Sequence, residues 1–152
     1  MTQYRRKNTL RSALAAMIAA STLAMAPIIA TPAHASSTYF NEFGGRPGIT
    51  ALINTFVGNV AADNRINFYF AHTNIPALKA ALVNQVCNLE GGGCPFNMNM
   101  RAIHAHMGVT QAAFNALAED MIRAMDKEHI PTAAQNNLLA KLAAMGPEIV
   151  TK

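Results

Sequence analysis

Five histidines are the residues of this chain best suited to metal chemistry, and their spacing limits what that chemistry can be. His104 and His106 are two residues apart, so on a helix they point in different directions and cannot bind one metal ion together. No His-Glu-x-x-His sequence and no cysteine–histidine cluster accompanies them, which excludes the common zinc patterns. The chemistry that remains is a single imidazole bound to one side of a metal.

His104 has the surroundings that such a role needs. It lies late in a short apolar segment that is interrupted at Gly108, with Met100 one helical turn before it and Val109 and Phe114 soon after it. An apolar wall around one imidazole suits a flat apolar cofactor such as haem. The same wall suits an ordinary protein core, and the residue types alone leave both interpretations open.

Helices must position this histidine, because every strong periodicity in the chain is helical. Apolar residues recur at steps of three and four along four stripes, which run over Ile49–Val60, Ile75–Leu89, Phe114–Met125 and Leu138–Ile149. Alternating runs, internal repeats and Gly/Ser linkers are absent from the sequence. The sequence therefore predicts one all-α domain.

Polar residues, glycines and prolines mark where these helices begin and end. Thr73-Asn74 is expected to cap the second helix and Thr110 the third, and Pro131 to begin the fourth, which Gly146-Pro147 would interrupt. The stretch from Glu90 to Asn99 contains three consecutive glycines and a proline, which cannot hold a long helix. We expect it to form a loop that leads into a short helix carrying His104.

Residues 1–35 have the composition of a secretory signal peptide. Four basic residues lie in the first eleven positions, an uncharged apolar stretch follows, and Ala33-His34-Ala35 places small residues around a cleavage site. A membrane anchor is the alternative, but Pro27, Pro32 and many weakly apolar alanines disfavour it. We expect cleavage after Ala35 and export to the periplasm, by the general or the twin-arginine route, with no membrane anchor left.

The charge of the chain belongs to this leader. Four of the twelve basic residues and none of the eight acidic ones lie within it, so residues 36–152 carry eight of each and no formal net charge. No basic stripe remains to neutralise phosphates, which excludes a nucleic-acid partner. Residues 36–152 are long enough for one compact domain.

The two cysteines, Cys87 and Cys94, have six residues between them. An exported protein enters an oxidising compartment, which favours a disulfide between them, and two buried free thiols are the alternative. The Cys-x-x-Cys-His sequence that attaches haem covalently is absent.

The order of motifs from Tyr39 to Val150 resembles the group I truncated haemoglobins of bacteria, protozoa and plants. The resemblance covers nearly all of the chain after the leader. The matching pieces are the aromatic and Gly-Gly opening at Tyr39–Gly45, the end of the second helix at Phe56–Asn64, the aromatic corner over the haem at Phe68-Tyr69-Phe70, the distal helix at Leu78-Lys79, the second glycine motif at Gly91-Gly92, and the proximal segment at Met100–Thr110.

This resemblance implies a compressed globin fold, two helices over two, around non-covalent haem b. It implies that Nε2 of His104 binds the iron and that the opposite face takes a diatomic ligand, with Phe70 against the distal face of the porphyrin. The pocket residues that it implies are Phe56, Val57, Phe70, Leu78, Leu82, Met100, His104, Val109 and Phe114.

The distal positions depart from the family pattern. Many members carry a tyrosine on the second helix, where this chain has Val57, and often a glutamine on the distal helix, where it has Leu78 and Leu82. A lost hydrogen bond to a partly charged ligand costs roughly 1.5–3 kcal/mol. We therefore expect loose oxygen binding, with carbon monoxide and nitric oxide less affected. Substitute donors could come from Tyr69, Gln85 or His72.

The function implied by the resemblance is reversible binding of oxygen, carbon monoxide or nitric oxide, with a reductase as a further partner. A haem enzyme, either a nitric oxide dioxygenase or a peroxidase, is the alternative. Peroxide chemistry benefits from a distal acid–base group, and the sequence offers none in a suitable place, so no catalytic residue is assigned. A haem-free helical interaction module is the second alternative.

Overall fold

The structure is a computed structural model that describes residues 38–152; the signal peptide expected at residues 1–35 lies outside the described residues. All regular elements in this range are helices. They are α1 (Thr38–Glu42), α2 (Gly45–Ala62), a 3₁₀ helix (Asn67–Phe70), α3 (Ile75–Leu89), α4 (Met100–His104), α5 (Gln111–Lys127), α6 (Thr132–Ala144) and α7 (Gly146–Ile149). None of the helices in this range combines the length and the apolar composition needed to cross a membrane.

Four long helices form the body of the domain. α2 packs against both α3 and α5, and α6 also contacts both α3 and α5. The short α4 contacts α7, so the end of the chain covers the helix that carries His104. This agrees with the two-over-two arrangement that the family resemblance implied.

The long helix α2 is the centre of the core. Every residue of its predicted stripe is buried: Ile49, Leu52, Ile53, Phe56, Val57 and Val60. The helix begins beside α1 at Gly44, whose φ of 74° lies in the left-handed region that favours glycine. A Cβ on Gly48 would lie 1.9 Å from the carbonyl oxygen of Phe43, so only glycine allows this close approach.

α3 and α5 bury faces that differ from their predicted stripes. On α3 the buried residues are Val83, Gln85, Val86 and Cys87, whereas the larger stripe residues nearer its start are half-buried. On α5 three alanines are buried beside Met121 and Met125, whereas Ile122, which lies within the predicted stripe, is 38% exposed. The α2–α5 contact is close enough to prefer small side chains, which apolar spacing alone does not reveal.

The predicted helix ends are confirmed. The side-chain oxygens of Asn74 and Thr110 each accept a hydrogen bond from the backbone N–H three residues later, at 3.1 Å. Asn99 caps α4 in the same way, at 2.9 Å. α6 begins directly after Pro131, and α7 begins at Gly146, where the sequence predicted an interruption.

Cys87 and Cys94 form a disulfide, with their Cα atoms 5.6 Å apart, so the alternative of two free thiols was wrong. The bond joins the last turn of α3 to the loop that leads towards α4. A Cβ on Gly92, inside this loop, would come within 2.4 Å of the Phe40 ring. The glycine motif therefore lets the loop pack directly against the start of the domain.

Candidate functional site

An apolar cavity of about 60 Å³, partly open to solvent, lies between the 3₁₀ helix, α4, α5 and α7. This volume is below the roughly 300–1,000 Å³ of sites that enclose a whole small molecule. Its lining residues are Ile66, Tyr69, Phe70, His104, Met107, Val109, Ala113, Phe114, Leu117 and Ile149. Among these residues, His104 is the only one with a side-chain nitrogen.

His104 is the last residue of α4, and its imidazole is half-buried at the cavity wall. Its Nδ1 lies 2.7 Å from the carbonyl oxygen of Met100, one turn earlier on the same helix. A carbonyl oxygen can only accept, so Nδ1 must carry the proton and donate it. The lone pair is therefore on Nε2, and the hydrogen bond fixes the orientation of the ring, as at histidines that ligate metals.

The other described histidines do not take part in this cavity. His72, His106 and His129 are all exposed. Within residues 38–152, no group of three or more histidine, cysteine or acidic side chains could hold a metal ion. A metal at this site would therefore need most of its ligands from a cofactor, with one from His104.

The cavity brings together four of the residues that the sequence predicted for the pocket: Phe70, His104, Val109 and Phe114. Phe56 and Val57 are buried in the core on α2, and Leu78 and Leu82 are half-buried on α3. These four do not line the cavity, because α2 and α3 pack directly against each other. Met100 contributes its backbone carbonyl to His104 and does not line the cavity either.

Sequence reasoning missed six lining residues. Ala113 and Leu117 lie four residues apart on α5 on either side of Phe114, so helical periodicity could have found them. Tyr69 precedes Phe70 in the aromatic corner. Ile66, Met107 and Ile149 reach the cavity from loops and chain ends that no local pattern predicts.

The three substitute hydrogen-bond donors suggested by the sequence are all placed away from this role. The hydroxyl of Tyr69 donates to the carbonyl oxygen of Gly108, at 3.2 Å. Nε2 of Gln85, on buried α3 surface, donates to the sulfur of Met145, at 3.5 Å. The imidazole of His72 is exposed.

A cluster of charges lies outside the cavity, where the end of α2 meets α5. Arg65 binds Asp63 at 2.7 Å and Glu119 at 2.8 Å, and Arg123 binds the fully buried Asp120. The hydrogen bond from Arg65 lowers the pKa of Asp63, while burial raises the pKa of Asp120 despite Arg123 beside it. Because each carboxylate has a guanidinium partner, the cluster joins two helices and supplies no free charge to the cavity.

The sequence of this chain matches one protein family and several of its members. The sequence model of the family described as bacterial-like globin matches residues 38–150. A group 1 truncated hemoglobin of Mycolicibacterium paratuberculosis is 25% identical over 116 residues, which are 76% of this chain and 85% of that protein. A group 1 truncated hemoglobin of Tetrahymena thermophila is 28% identical over 85 residues, covering 55% of this chain and 70% of that protein.

Solved structures show the same fold. A variant of the truncated hemoglobin of Tetrahymena pyriformis, in the Fe(III) form, superposes with a TM-score of 0.72 at 21% identity, covering 76% of this chain and 99% of that one. The 2/2 hemoglobin of Synechococcus sp., in the cyanomet state with covalently attached heme, gives 0.70 at 21% identity, covering 75% and 98%. Each match covers nearly all of the solved structure and about three quarters of this chain.

Proposed function

The chain belongs to the bacterial-like globin family, and from that premise we propose that it is a haem b protein that reversibly binds a diatomic gas. Nε2 of His104 holds the iron, and the opposite side of the haem takes oxygen, carbon monoxide or nitric oxide. The observation that carries this proposal is the hydrogen bond from Nδ1 of His104 to the Met100 carbonyl, at 2.7 Å, which leaves Nε2 available at an apolar cavity.

The chemistry of the residues around the cavity suits a porphyrin. Phe70, Phe114 and Leu117 offer apolar surface to a flat ring, and His104 offers one nitrogen ligand beside them. Bound haem would supply the iron that takes the gas. The protein's part is to orient one imidazole and to keep water away from an apolar site.

Gas binding is favoured over haem enzymology because the cavity holds no free acid–base group. Tyr69 is its only polar side chain besides His104, and its hydroxyl already donates to a backbone carbonyl. Peroxide chemistry gains from a distal group that can move a proton, and no lining residue supplies one. A reductase that keeps the iron ferrous is the protein partner that this function requires.

Absorption spectra of the purified protein test the proposal directly. We expect a Soret band in the ferric and ferrous states that shifts when carbon monoxide is added. His104→Ala is expected to lose haem or change its spectrum, because it removes the nitrogen ligand. His106→Ala is the matched control: this histidine is two residues away and exposed, so its loss should change nothing. A wild-type protein that takes up no haemin, or an unchanged His104→Ala spectrum, would refute the proposal.

We also propose that the mature protein begins at Ser36 and works in the periplasm. The Cys87–Cys94 disulfide supports this location, since such bonds persist in oxidising compartments. Mass spectrometry of the protein recovered from a periplasmic extract should give an N-terminus at Ser36. Recovery with Met1 intact in the membrane fraction would contradict this location.

A further inference from the structure

The segment between α4 and α5 directly follows His104, and residues distant in sequence hold this segment from two sides. Its first turn is tied to His104 itself, since the N–H of Met107 donates to the His104 carbonyl at 3.0 Å. The next two residues, Gly108 and Val109, form hydrogen bonds to parts of the protein far away in sequence. We call the stretch from Ala105 to Thr110 the proximal turn.

On one side, the Tyr69 hydroxyl donates to the Gly108 carbonyl at 3.2 Å, across 39 residues of sequence. Gly108 has a φ of 62°, a left-handed conformation that turns the chain here and that few other residues adopt easily. Tyr69 belongs to the 3₁₀ helix and lies next to Phe70. Tyr69, Phe70 and Gly108 are all half-buried. The bond therefore ties the aromatic corner on one side of the cavity to the turn that follows His104 on the other.

On the other side, the end of the chain holds Val109. The Val109 N–H donates to Oγ1 of Thr151 at 3.1 Å, and the Val109 carbonyl accepts from the N–H groups of Thr151 and Lys152 at 2.9 and 3.2 Å. These bonds fix the backbone at Val109 but leave the Gly108 carbonyl without a partner from that side. Tyr69 is the residue that holds it.

We propose that Tyr69 is a positioning residue for His104, acting through the Gly108 carbonyl and the proximal turn. Its phenol is a donor directed at the backbone, so its role is to fix the imidazole rather than to bind the gas. Without the hydroxyl, the proximal turn loses its link to the 3₁₀ helix, and the direction of Nε2 towards the haem becomes less defined. The inference rests on the proposed function only for its effect at the iron; the effect on the turn holds in the haem-free protein as well.

Tyr69→Phe is the variant that tests this role, because it removes one oxygen and keeps the ring in the cavity wall. Tyr39→Phe is the matched control, since Tyr39 packs against the core but does not line the cavity. Amide hydrogen exchange of the haem-free protein is the first measurement. We expect exchange in the proximal turn to be about threefold to tenfold faster in Tyr69→Phe, as for one lost hydrogen bond, with the buried part of α2 unchanged.

The second measurement is made on the haem-loaded protein. Resonance Raman spectra of the ferrous form report the stretching frequency of the iron–histidine bond, which depends on the orientation of the imidazole. We expect this frequency to shift in Tyr69→Phe and haemin release to quicken about threefold to tenfold, with Tyr39→Phe matching the wild type. A general loss of stability would not shift the frequency.

The two measurements separate the possible failures. Wild-type exchange in the proximal turn of Tyr69→Phe would overturn the inference, and so would an increase spread evenly over the whole chain. An unchanged iron–histidine frequency would overturn the role at His104 while leaving the haem proposal intact. If the wild type binds no haemin, the proposed function fails, and a quicker exchange confined to the proximal turn then supports only the structural link.

Discussion

Reduction of the Cys87–Cys94 disulfide is the perturbation whose effect the structure defines most closely. The bond joins residues seven apart in sequence and closes a loop of about eight residues. The loop-entropy relation for this length gives about 2.5 kcal/mol of stabilisation, through the restriction of the unfolded chain. Domains of this size have a total stability of about 5–15 kcal/mol, so the bond should supply a large share of it.

Other contacts around the two sulfurs are expected to keep the fold intact when the disulfide is reduced. Cys87 is fully buried and Cys94 is half-buried, so reductant reaches Cys94 first. After reduction, the amide of Asn88 can still hold the Cys94 carbonyl, a bond of 2.8 Å. Arg46 donates to the Cys94 sulfur at 3.1 Å, a contact that the reduced side chain can keep. We therefore expect the fold to survive with a lower free energy of unfolding.

Urea unfolding of the protein with and without dithiothreitol measures the effect. We expect a loss of about 2.5 kcal/mol, equivalent to a melting temperature about 10 °C lower. The Cys87→Ala/Cys94→Ala double variant is the control, because dithiothreitol should leave its unfolding curve unchanged. Curves of the wild type that agree within about 0.5 kcal/mol in both conditions would refute this account of the loop.

Two further predictions concern the pH dependence and the core. Burial raises the pKa of Asp120 in the folded state above its ordinary 3.8, so between these two pKa values the folded protein holds a proton that the unfolded chain has lost. The free energy of unfolding therefore falls as pH rises from about 4 through the folded-state pKa. Urea unfolding of Asp120→Asn should therefore lack this decline, and parallel curves for variant and wild type would count against it. Gly48→Ala, whose Cβ would meet the Phe43 carbonyl at 1.9 Å, should cost at least about 2 kcal/mol, whereas Gly58→Ala in the same helix has open space and should be neutral or stabilising; similar thermal midpoints for both would contradict the close packing.

Local signals in the sequence were sufficient for the helices and their ends. Asn74 and Thr110 have side chains that satisfy the first free N–H groups of a helix, and this chemistry acts over three residues whatever the tertiary structure. The α2 stripe was fully predictable because neighbours cover this helix on two sides, so its apolar spacing and its burial coincide. The same reasoning predicted the interruption at Gly146, since a proline follows it.

Local signals were insufficient where burial depends on what lies opposite. The inner face of α5 is made of alanines, which are too weakly apolar to dominate a hydropathy pattern, and it includes the charged Asp120. That buried carboxylate is paired with Arg123 on the same helix, while Asn59 on α2 donates to the backbone carbonyl of Asp120. The pairing with Arg123, three residues away on one helix, follows from spacing. The contact with Asn59 does not, because Asn59 lies 61 residues earlier in the sequence.

Some residues of the candidate site could likewise be found from local signals, and others depend on contacts between distant segments. His104 stood out as an imidazole in an apolar segment, but its role came from the resemblance to the truncated haemoglobins; Phe114 was accessible because it is on the predicted face of α5. Ile149 and Met107 line the cavity only because α7 folds back over α4, a contact that no local pattern encodes. Tyr69 was considered for a different role, as a donor to the ligand, since its residue type does not say which acceptor it faces.

The acceptor of the Tyr69 hydroxyl is the Gly108 carbonyl oxygen, and this affects what kind of gas-binding site the chain can form. With Tyr69 bonded to Gly108 and Gln85 bonded to Met145, two of the donors suggested by the sequence are already engaged by the protein. Val57 is buried in the core, so the second helix offers no donor at this position either. Under the proposed function, discrimination among gases must then come from the shape of an apolar site and from the imidazole that His104 presents, rather than from hydrogen bonds to the ligand. The hydroxyl that could have retained oxygen instead fixes the turn behind the iron ligand, and for this reason Tyr69→Phe should alter the iron–histidine bond more than it alters the preference between oxygen and carbon monoxide.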